Sequence, residues 1–167
     1  MMLKVGVISD THIRSLAQGA RLADRLCAGC FAEVTTILHA GDVGLPEFLD
    51  FFGDRQVHAV RGNMDAPVAG VPIKKVLTLG GFRIGLVHGW GSPVQLEERL
   101  RREFQGLSLD CLVYGHSHLP ACHRVGELLL FNPGSATDRR DAPRHTVGLL
   151  EIGASSPTVR DSALLQG

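Results

Sequence analysis

Seven side chains of metal-binding type stand at the ends of successive apolar runs. Asp10 and His12 close the first run, in Ser9-Asp10-Thr11-His12, and Asp42 closes the second, in His39-Ala40-Gly41-Asp42. Asn63 follows the third, in Arg61-Gly62-Asn63-Met64-Asp65, and His88 a later one, in His88-Gly89-Trp90. His116 and His118 follow another, in Gly115-His116-Ser117-His118. Four imidazoles, two carboxylates and one amide form an N/O ligand set without a thiolate. Such a set suits Mn, Fe, Zn, Ni or Co better than Mg or Ca, with manganese the expected occupant. Seven ligands are too many for one ion of four to six coordination. Two divalent ions about 3.5–4 Å apart, sharing one carboxylate, would use them all, and Asp42, alone after its glycine, is the expected bridge. Two such ions, two aspartates and a bridging hydroxide leave roughly one positive charge, which suits a singly charged phosphodiester or a doubly charged monoester. Lowering the pKa of a bound water from 15.7 to about 7 would supply the nucleophile without any Ser or Cys.

Elements must then carry these residues to one place. Ligands of α/β folds bind at the carboxyl ends of the strands. The steps from His12 to Asp42, Asn63, His88 and His116 are 30, 21, 25 and 28 residues. A strand-crossover-strand unit takes roughly 30 residues, so each step returns the chain to the same edge. Within Asp10-x-His12 and His116-x-His118, an extended backbone would put both side chains on one side. Strands are predicted over 3–9, 34–39, 56–60, 74–79, 82–88 and 110–114, with Gly80-Gly81 a hairpin turn. From Ala121 onward only strands and turns are read, at 145–152 and 158–164 among them. Helices are predicted over 15–28, over 45–52 with Pro46 in its first turn, and over 92–104 with Ser92 as N-cap and Pro93 at N1. The βαβαβ opening and hairpin-rich second half predict two packed mixed sheets with helices outside.

The whole chain, 167 residues, is expected to form a single domain spanning 1–167. It is too short for a (β/α)₈ barrel, which needs about 250 residues. With 17 Lys+Arg against 17 Asp+Glu it carries no basic footprint for coating nucleic acid. No apolar run is long enough for a membrane span or a signal peptide, so a cytoplasmic location is expected. Of the other histidines, His39 and His58 read as packing or supporting residues, and His123 and His145, which have no partner motif, as surface. The mixed-sign run Glu97–Glu103 reads as a solvated helix face. Cys27-Ala-Gly-Cys30 falls at the far end of a helix rather than at a strand-to-helix junction. Neither redox nor zinc chemistry is therefore expected of it.

The blocks D-x-H, G-D, G-N, H and G-H-x-H, in that order, resemble those of the calcineurin-like metallophosphoesterase superfamily, and especially its short, cap-less YfcE-like phosphodiesterases. The likeness runs from residue 3 to about 135 and includes Asn132-Pro133-Gly134-Ser135. It implies an α/β (α+β) fold, a four-layer αββα sandwich of two mixed β-sheets flanked by helices. It also implies Asp10, His12, Asp42 and His118 on one metal, and Asp42, Asn63, His88 and His116 on the other. The expected activity is metal-dependent hydrolysis of a small phosphodiester by in-line attack of a bridging hydroxide, with Asn63 holding a phosphate oxygen. Larger members carry His after the Asn; here Met64 stands there, unable to donate a proton or pair a charge. Asp65, which would orient that His, is left to brace the loop. General acid catalysis is worth 10²–10⁴-fold, so slow turnover or a preference for good leaving groups is expected. Two alternatives remain: a phosphomonoesterase, and a partner-binding scaffold like the small retromer subunit, which shares the fold. Family members form dimers or tetramers, and a homodimer or homotetramer is the expectation here.

Overall fold

The computed structural model describes residues 2–154 and 157–165. Ten strands form two five-stranded mixed sheets. In the first, β1 (Leu3–Ile8), β2 (Thr36–His39) and β3 (Gln56–Ala59) run parallel. β9 (His145–Ile152) pairs antiparallel with β1, and β10 (Pro157–Leu165) with β9. The second sheet has the order β4 (Lys74–Leu79), β5 (Phe82–Val87), β6 (Cys111–Val113), β8 (Leu128–Asn132), β7 (Ala121–Val125). Its middle strands β5, β6 and β8 are parallel, while the hairpins β4–β5 and β7–β8 are antiparallel.

Period-2 alternation divides the core into three layers of side chains. Val5 and Val7 of β1 and Leu38 of β2 face Cys111 and Val113 of β6 and Leu129 and Phe131 of β8 between the sheets. Ile8 and Ile37, on the opposite face, meet helix α1 (Leu16–Ala28) and the short 3₁₀ turn Pro46–Asp50. Leu112, Tyr114 and Leu130 face helix α2 (Leu96–Glu103) through Leu96 and Leu100. The result is the predicted αββα sandwich. Because both faces are covered at the middle of each sheet, β2 and β6 are buried at every position; β6 is an unbroken apolar run, while β2 carries the buried polar residues Thr36 and His39 at its two ends.

Helix α1 begins as its sequence dictates: Ser15 is extended and its hydroxyl accepts the Gln18 N–H at 3.1 Å. Helix α2 does not. It starts at Leu96, four residues later than predicted, with Gln95 at the N-cap in the left-handed region (φ 57°). The Ser92 hydroxyl is spent on the Val94 N–H, a local turn that competes with helix, and the Arg99 guanidinium ties the Trp90, Ser92 and Val94 carbonyls. In the run 97–103, Glu98, Arg101, Arg102 and Glu103 are exposed as predicted, but Glu97 is tied inward. Glu97 receives a short hydrogen bond from the buried Tyr114 hydroxyl and another from His123 Nε2 at 2.8 Å. His123 therefore has a partner that its sequence context did not reveal, and His145 is half-buried at the start of β9 rather than on the surface. Cys27, in the last turn of α1, and Cys30, just beyond it, are half-buried free thiols against the core on that side of the sheet, and burial raises Cys30. No described helix is long and apolar enough to cross a membrane.

Candidate metal centre

The ends of β1, β2, β3, β5 and β6 meet along one edge of the sandwich, where the two sheets abut. Asp10 and His12 follow β1, Asp42 follows β2, Asn63 follows β3, His88 follows β5, and His116 and His118 follow β6. Main-chain bonds stitch these loops together: Asp10 N to Gly41 O and His12 N to Asp42 O at 2.9 Å, and Gly115 N to His88 O at 3.1 Å. Asp10 and His12 are not extended, as the i, i+2 argument assumed. They lie in the left-handed region with φ 54° and 43°, as do Asp42 (54°), His116 (73°) and His118 (62°). Non-glycine residues there cost on the order of 1 kcal/mol or more each, and clusters of them mark functional sites. The common side shared by each Asp/His or His/His pair is thus built by this strained turn, not by strand pleat.

The seven residues converge. Ligand atoms of Asp10, His12 and His118 all lie within 4.8 Å of one another, as do those of Asp10, Asp42 and His88. His118 Nε2 is 3.3 Å from Asp10 Oδ1, His88 Nε2 is 3.2 Å from Asp42 Oδ2, and His12 Nε2 is 3.7 Å from Asp42 Oδ2. Asn63 Oδ1 sits 3.0 Å from His88 Nε2, and the His116 ring packs edge-on to His88 with centroids 5.4 Å apart. Three imidazoles are anchored through one nitrogen to a backbone carbonyl: His88 Nδ1 to Ala40, His118 Nδ1 to Asp138 and His116 Nε2 to Gly91. That is the arrangement that fixes the tautomer of a metal-binding histidine and frees its other nitrogen for the ion. Asp10 Oδ1, His12 Nε2 and His118 Nε2 are buried with no hydrogen-bond partner, although buried polar atoms ordinarily have one. Three orphaned donor atoms of N/O type, converging beside a second carboxylate, fit a divalent cation.

The electrostatics agree. Burial works against a charge on Asp10, but the His118 contact, nearby His88 and the Ser9 hydroxyl outweigh it and hold the carboxyl below its ordinary range. Asp42 behaves alike: burial opposes ionisation, and His88, the Met64 N–H and His12 prevail. Burial disfavours charge on His88 and His118, yet Asp42 and Asp10 hold His88, and Asp10 with the Asp138 carbonyl holds His118, above the ordinary histidine value. Two ionised aspartates in a buried cluster thus draw in positive charge.

Residues that the spacing argument passed over hold this geometry. The Ser9 hydroxyl donates to Asp10 Oδ2 at 2.6 Å, which also accepts the His116 N–H at 3.0 Å. Ser135, in the motif Asn132-Pro133-Gly134-Ser135, donates to Asp10 O at 2.8 Å, and Thr137 to Thr11 O at 2.7 Å. Asn132 donates to Gly115 O at 3.1 Å and to Ser117 Oγ at 3.0 Å. Asp65 does brace its loop: its carboxylate accepts the N–H groups of Gly62, Val43 and Gly44 at 2.9 to 3.2 Å. Behind the centre, buried His39 accepts the Gly41 N–H on Nδ1 at 3.1 Å and lies 2.9 Å from Thr11 Oγ1 through Nε2. Two glycines are there to let backbone touch carboxylate. A Cβ on Gly62 would lie 2.1 Å from Asp42 Oδ1, and one on Gly115 would lie 2.0 Å from Ser9 Oγ and 2.6 Å from Asp10 Oδ2.

The model of the calcineurin-like phosphoesterase superfamily domain matches residues 3–155. The chain belongs to this superfamily. It is 36% identical over 135 residues to a probable metallophosphoesterase of Methanothermobacter thermautotrophicus, covering 80% of this chain and 77% of that one. Among solved structures it is similar to Vps29 of Entamoeba histolytica complexed with Zn²⁺, at 34% identity and TM-score 0.73, covering 94% of this chain and 90% of that one. It also shares its fold with an archaeal phosphodiesterase at 19% identity and TM-score 0.69, covering 95% and 100%. Members of the calcineurin-like superfamily bind divalent metals, and the Asp/His groups described above are where this member would hold them.

Two depressions adjoin the centre. One, about 640 Å³, lies beside His12 and Met64; the other, about 150 Å³, lies beside Asn63 and His88 under Ile73 and Trp90. A hollow of about 580 Å³ between α2 and β8 is remote from every residue of the centre and takes no part in its chemistry.

Proposed function

We propose that the protein is a divalent-metal-dependent phosphodiesterase with a dinuclear centre. Asp10, His12, Asp42 and His118 hold one ion and Asp42, Asn63, His88 and His116 the other. The observation that carries this reading is that His88 and His118, each tied through Nδ1 to a backbone carbonyl, turn Nε2 toward Asp10 and Asp42, with His116 anchored likewise beside His88. Bound there, two ions such as manganese would bring a coordinated water to a pKa of about 7 and neutralise phosphate oxygens. The chain's own contribution is position. Asp10 is clamped by the Ser9 hydroxyl and the His116 N–H, and Asp42 by the Met64 N–H at 2.9 Å. The Asn63 amide stands at the rim, where its N–H groups reach a phosphate oxygen of the small diester.

Chelation should abolish hydrolysis of an aryl phosphodiester and Mn²⁺ should restore it. Unchanged activity in Asp42→Ala or His116→Ala would refute the ligand assignment. Faster cleavage of a monoester than of a diester would turn the reading to a phosphomonoesterase. A second reading, a partner-binding protein, is favoured by the exposed apolar side chains around the mouth: Met64 (72% exposed), Ile73 (59%) and Trp90 (41%). Metal binding without any esterase activity would select it.

A further inference from the structure

Resting on the phosphodiesterase reading above, we infer that the substrate is a diester of diphosphate, cleaved at its phosphoanhydride bond, with the departing phosphate held by Arg14 and Arg140. The larger depression opens between the first turn of α1 and the loop joining β8 to β9. Its walls include His12, Arg14, Gln18, Met64, Thr137 and Arg140. Among the described residues the Arg14 guanidinium has no ion-pair or hydrogen-bond partner, and only its main-chain N–H is engaged, by Gln18 Oε1. The Arg140 guanidinium reaches the His116 carbonyl at 3.4 Å and no carboxylate. Arg140 is also held in the left-handed region, φ 46°, with its N–H on Asp138 Oδ1. Two carboxylates are nearby, but neither neutralises these cations. Asp65 is turned to three backbone N–H groups, and Asp138 lies against Arg140 N and 3.9 Å from His118 Nδ1. Two guanidinium groups without counter-ions beside a cation-binding centre are suited to a phosphate, which they grip bidentately.

The second observation concerns protons. An alkoxide leaving group needs one, and no side chain lining this depression outside the metal-binding set is placed to supply it. Met64 has only a weak acceptor, arginine does not give up its proton, the Thr137 hydroxyl is spent on Thr11 O, and the Asp65 and Asp138 carboxylates are acceptors of backbone N–H groups. A leaving group that departs as a stable anion removes the need. A phosphate monoester, with its second pKa near 6, is such a group. In the step, a water oxygen forms a bond to the attacked phosphorus and the bond from that phosphorus to the bridging oxygen breaks. The electron pair stays on the bridging oxygen, which becomes a terminal oxygen of the departing phosphate. Two phosphate monoester dianions result, and both protons of the water pass to solvent. The exposed position of Met64 is then no loss to catalysis, because the arginines answer the leaving group's charge directly.

The test compares P1,P2-dimethyl diphosphate with methyl p-nitrophenyl phosphate on the manganese-loaded protein, and measures methylenediphosphonate binding by calorimetry. Arg14→Gln and Arg140→Gln should each lower kcat/KM for the diphosphate at least tenfold relative to the aryl diester, and weaken methylenediphosphonate binding by a similar factor. Arg14→Lys, which keeps the charge but not the fork, should fall between. Cleavage of the aryl diester but not of the diphosphate would overturn this inference and leave the phosphodiesterase reading standing. Cleavage of neither would overturn both. Methylenediphosphonate binding that is unaltered in both glutamine variants, each checked for an unshifted thermal midpoint, would also overturn it.

Discussion

Acid should unfold the metal-free protein through His39 before it does so through the carboxylates. This ring is fully buried beneath the metal-binding loops, and burial pushes it down to about 4 from 6.5, with Asp65, Asp10 and Asp42 resisting the shift. The hydrogen bonds agree with a neutral ring. Nδ1 accepts the Gly41 N–H, Nε2 donates to Thr11 Oγ1, and that hydroxyl donates to Val43 O at 2.9 Å. A second proton on Nδ1 would face the Gly41 N–H, next to Asp42. Because the folded value is depressed, the contribution is fully present above the unfolded value of 6.5 and is lost as pH falls through about 4. At 1.36 kcal/mol per pH unit, about 3 kcal/mol is lost across that window. His88 and His118, raised in the fold, contribute fully below 6.5 and lose their part only at higher pH. Asp10 and Asp42, lowered, lose theirs only below 3.8. Urea midpoints of chelator-treated protein between pH 7 and 4 measure the effect. In His39→Gln, which keeps a donor for Thr11, the fall should be shallower by about 3 kcal/mol over the same range. His58, depressed by its own burial and Lys75, remains in both proteins and cancels. Parallel pH profiles for wild type and variant would refute the argument that this buried ring governs the acid limb.

Other perturbations act on the centre's supports. Gly115→Ala places a Cβ against Ser9 Oγ and Asp10 Oδ2, and should cost about 1–3 kcal/mol in denaturant melts. The same variant should weaken Mn²⁺ binding by roughly 10–100-fold, read by calorimetry. Asp65→Ala strands three backbone N–H groups around Asp42. About 2 kcal/mol of stability should go, with a lower metal affinity in the same titration. Free Mn²⁺ at a hundred times its Kd should stabilise the wild-type protein by about 2.7 kcal/mol, visible as a thermal midpoint several degrees higher. That shift should vanish in Asp10→Ala. Phe131, fully buried between the sheets, should cost about 3–5 kcal/mol as Phe131→Ala, with no change in the ratio of metal affinities for Mn²⁺ and Zn²⁺.

Much of the architecture was written locally. β6 is a continuous apolar run because both of its faces are covered, and a covered strand needs no polar positions. Ser15 announces the start of α1 because its cap bond is made to a residue only three positions away. The seven polar residues could be picked out because their types are costly to bury without a partner and each ends an apolar run. Ser92 misled for the reverse reason: the same hydroxyl can cap a helix or close a turn. The choice fell to Arg99, which gathers the carbonyls of Trp90, Ser92 and Val94. The tie from Glu97 to Tyr114 and His123 joins α2 to the residue just after β6 and to β7, and no local pattern encodes it.

Residue order alone decided which chemistry is available, an N/O donor set of aspartate, histidine and asparagine, and that its members recur at the spacing of successive strands. Folding in three dimensions decided the rest. It turned five of those residues into the left-handed region, tied three imidazoles to the carbonyls of Ala40, Gly91 and Asp138, and left Arg14 and Arg140 without counter-ions on one flank. Side-chain type is a property of one position, but a ring's free nitrogen, a carboxylate's clamp and a guanidinium's missing partner are fixed by groups distant in sequence, as when the His116 N–H reaches Asp10 Oδ2 across 106 residues. They exist only once the two sheets have packed.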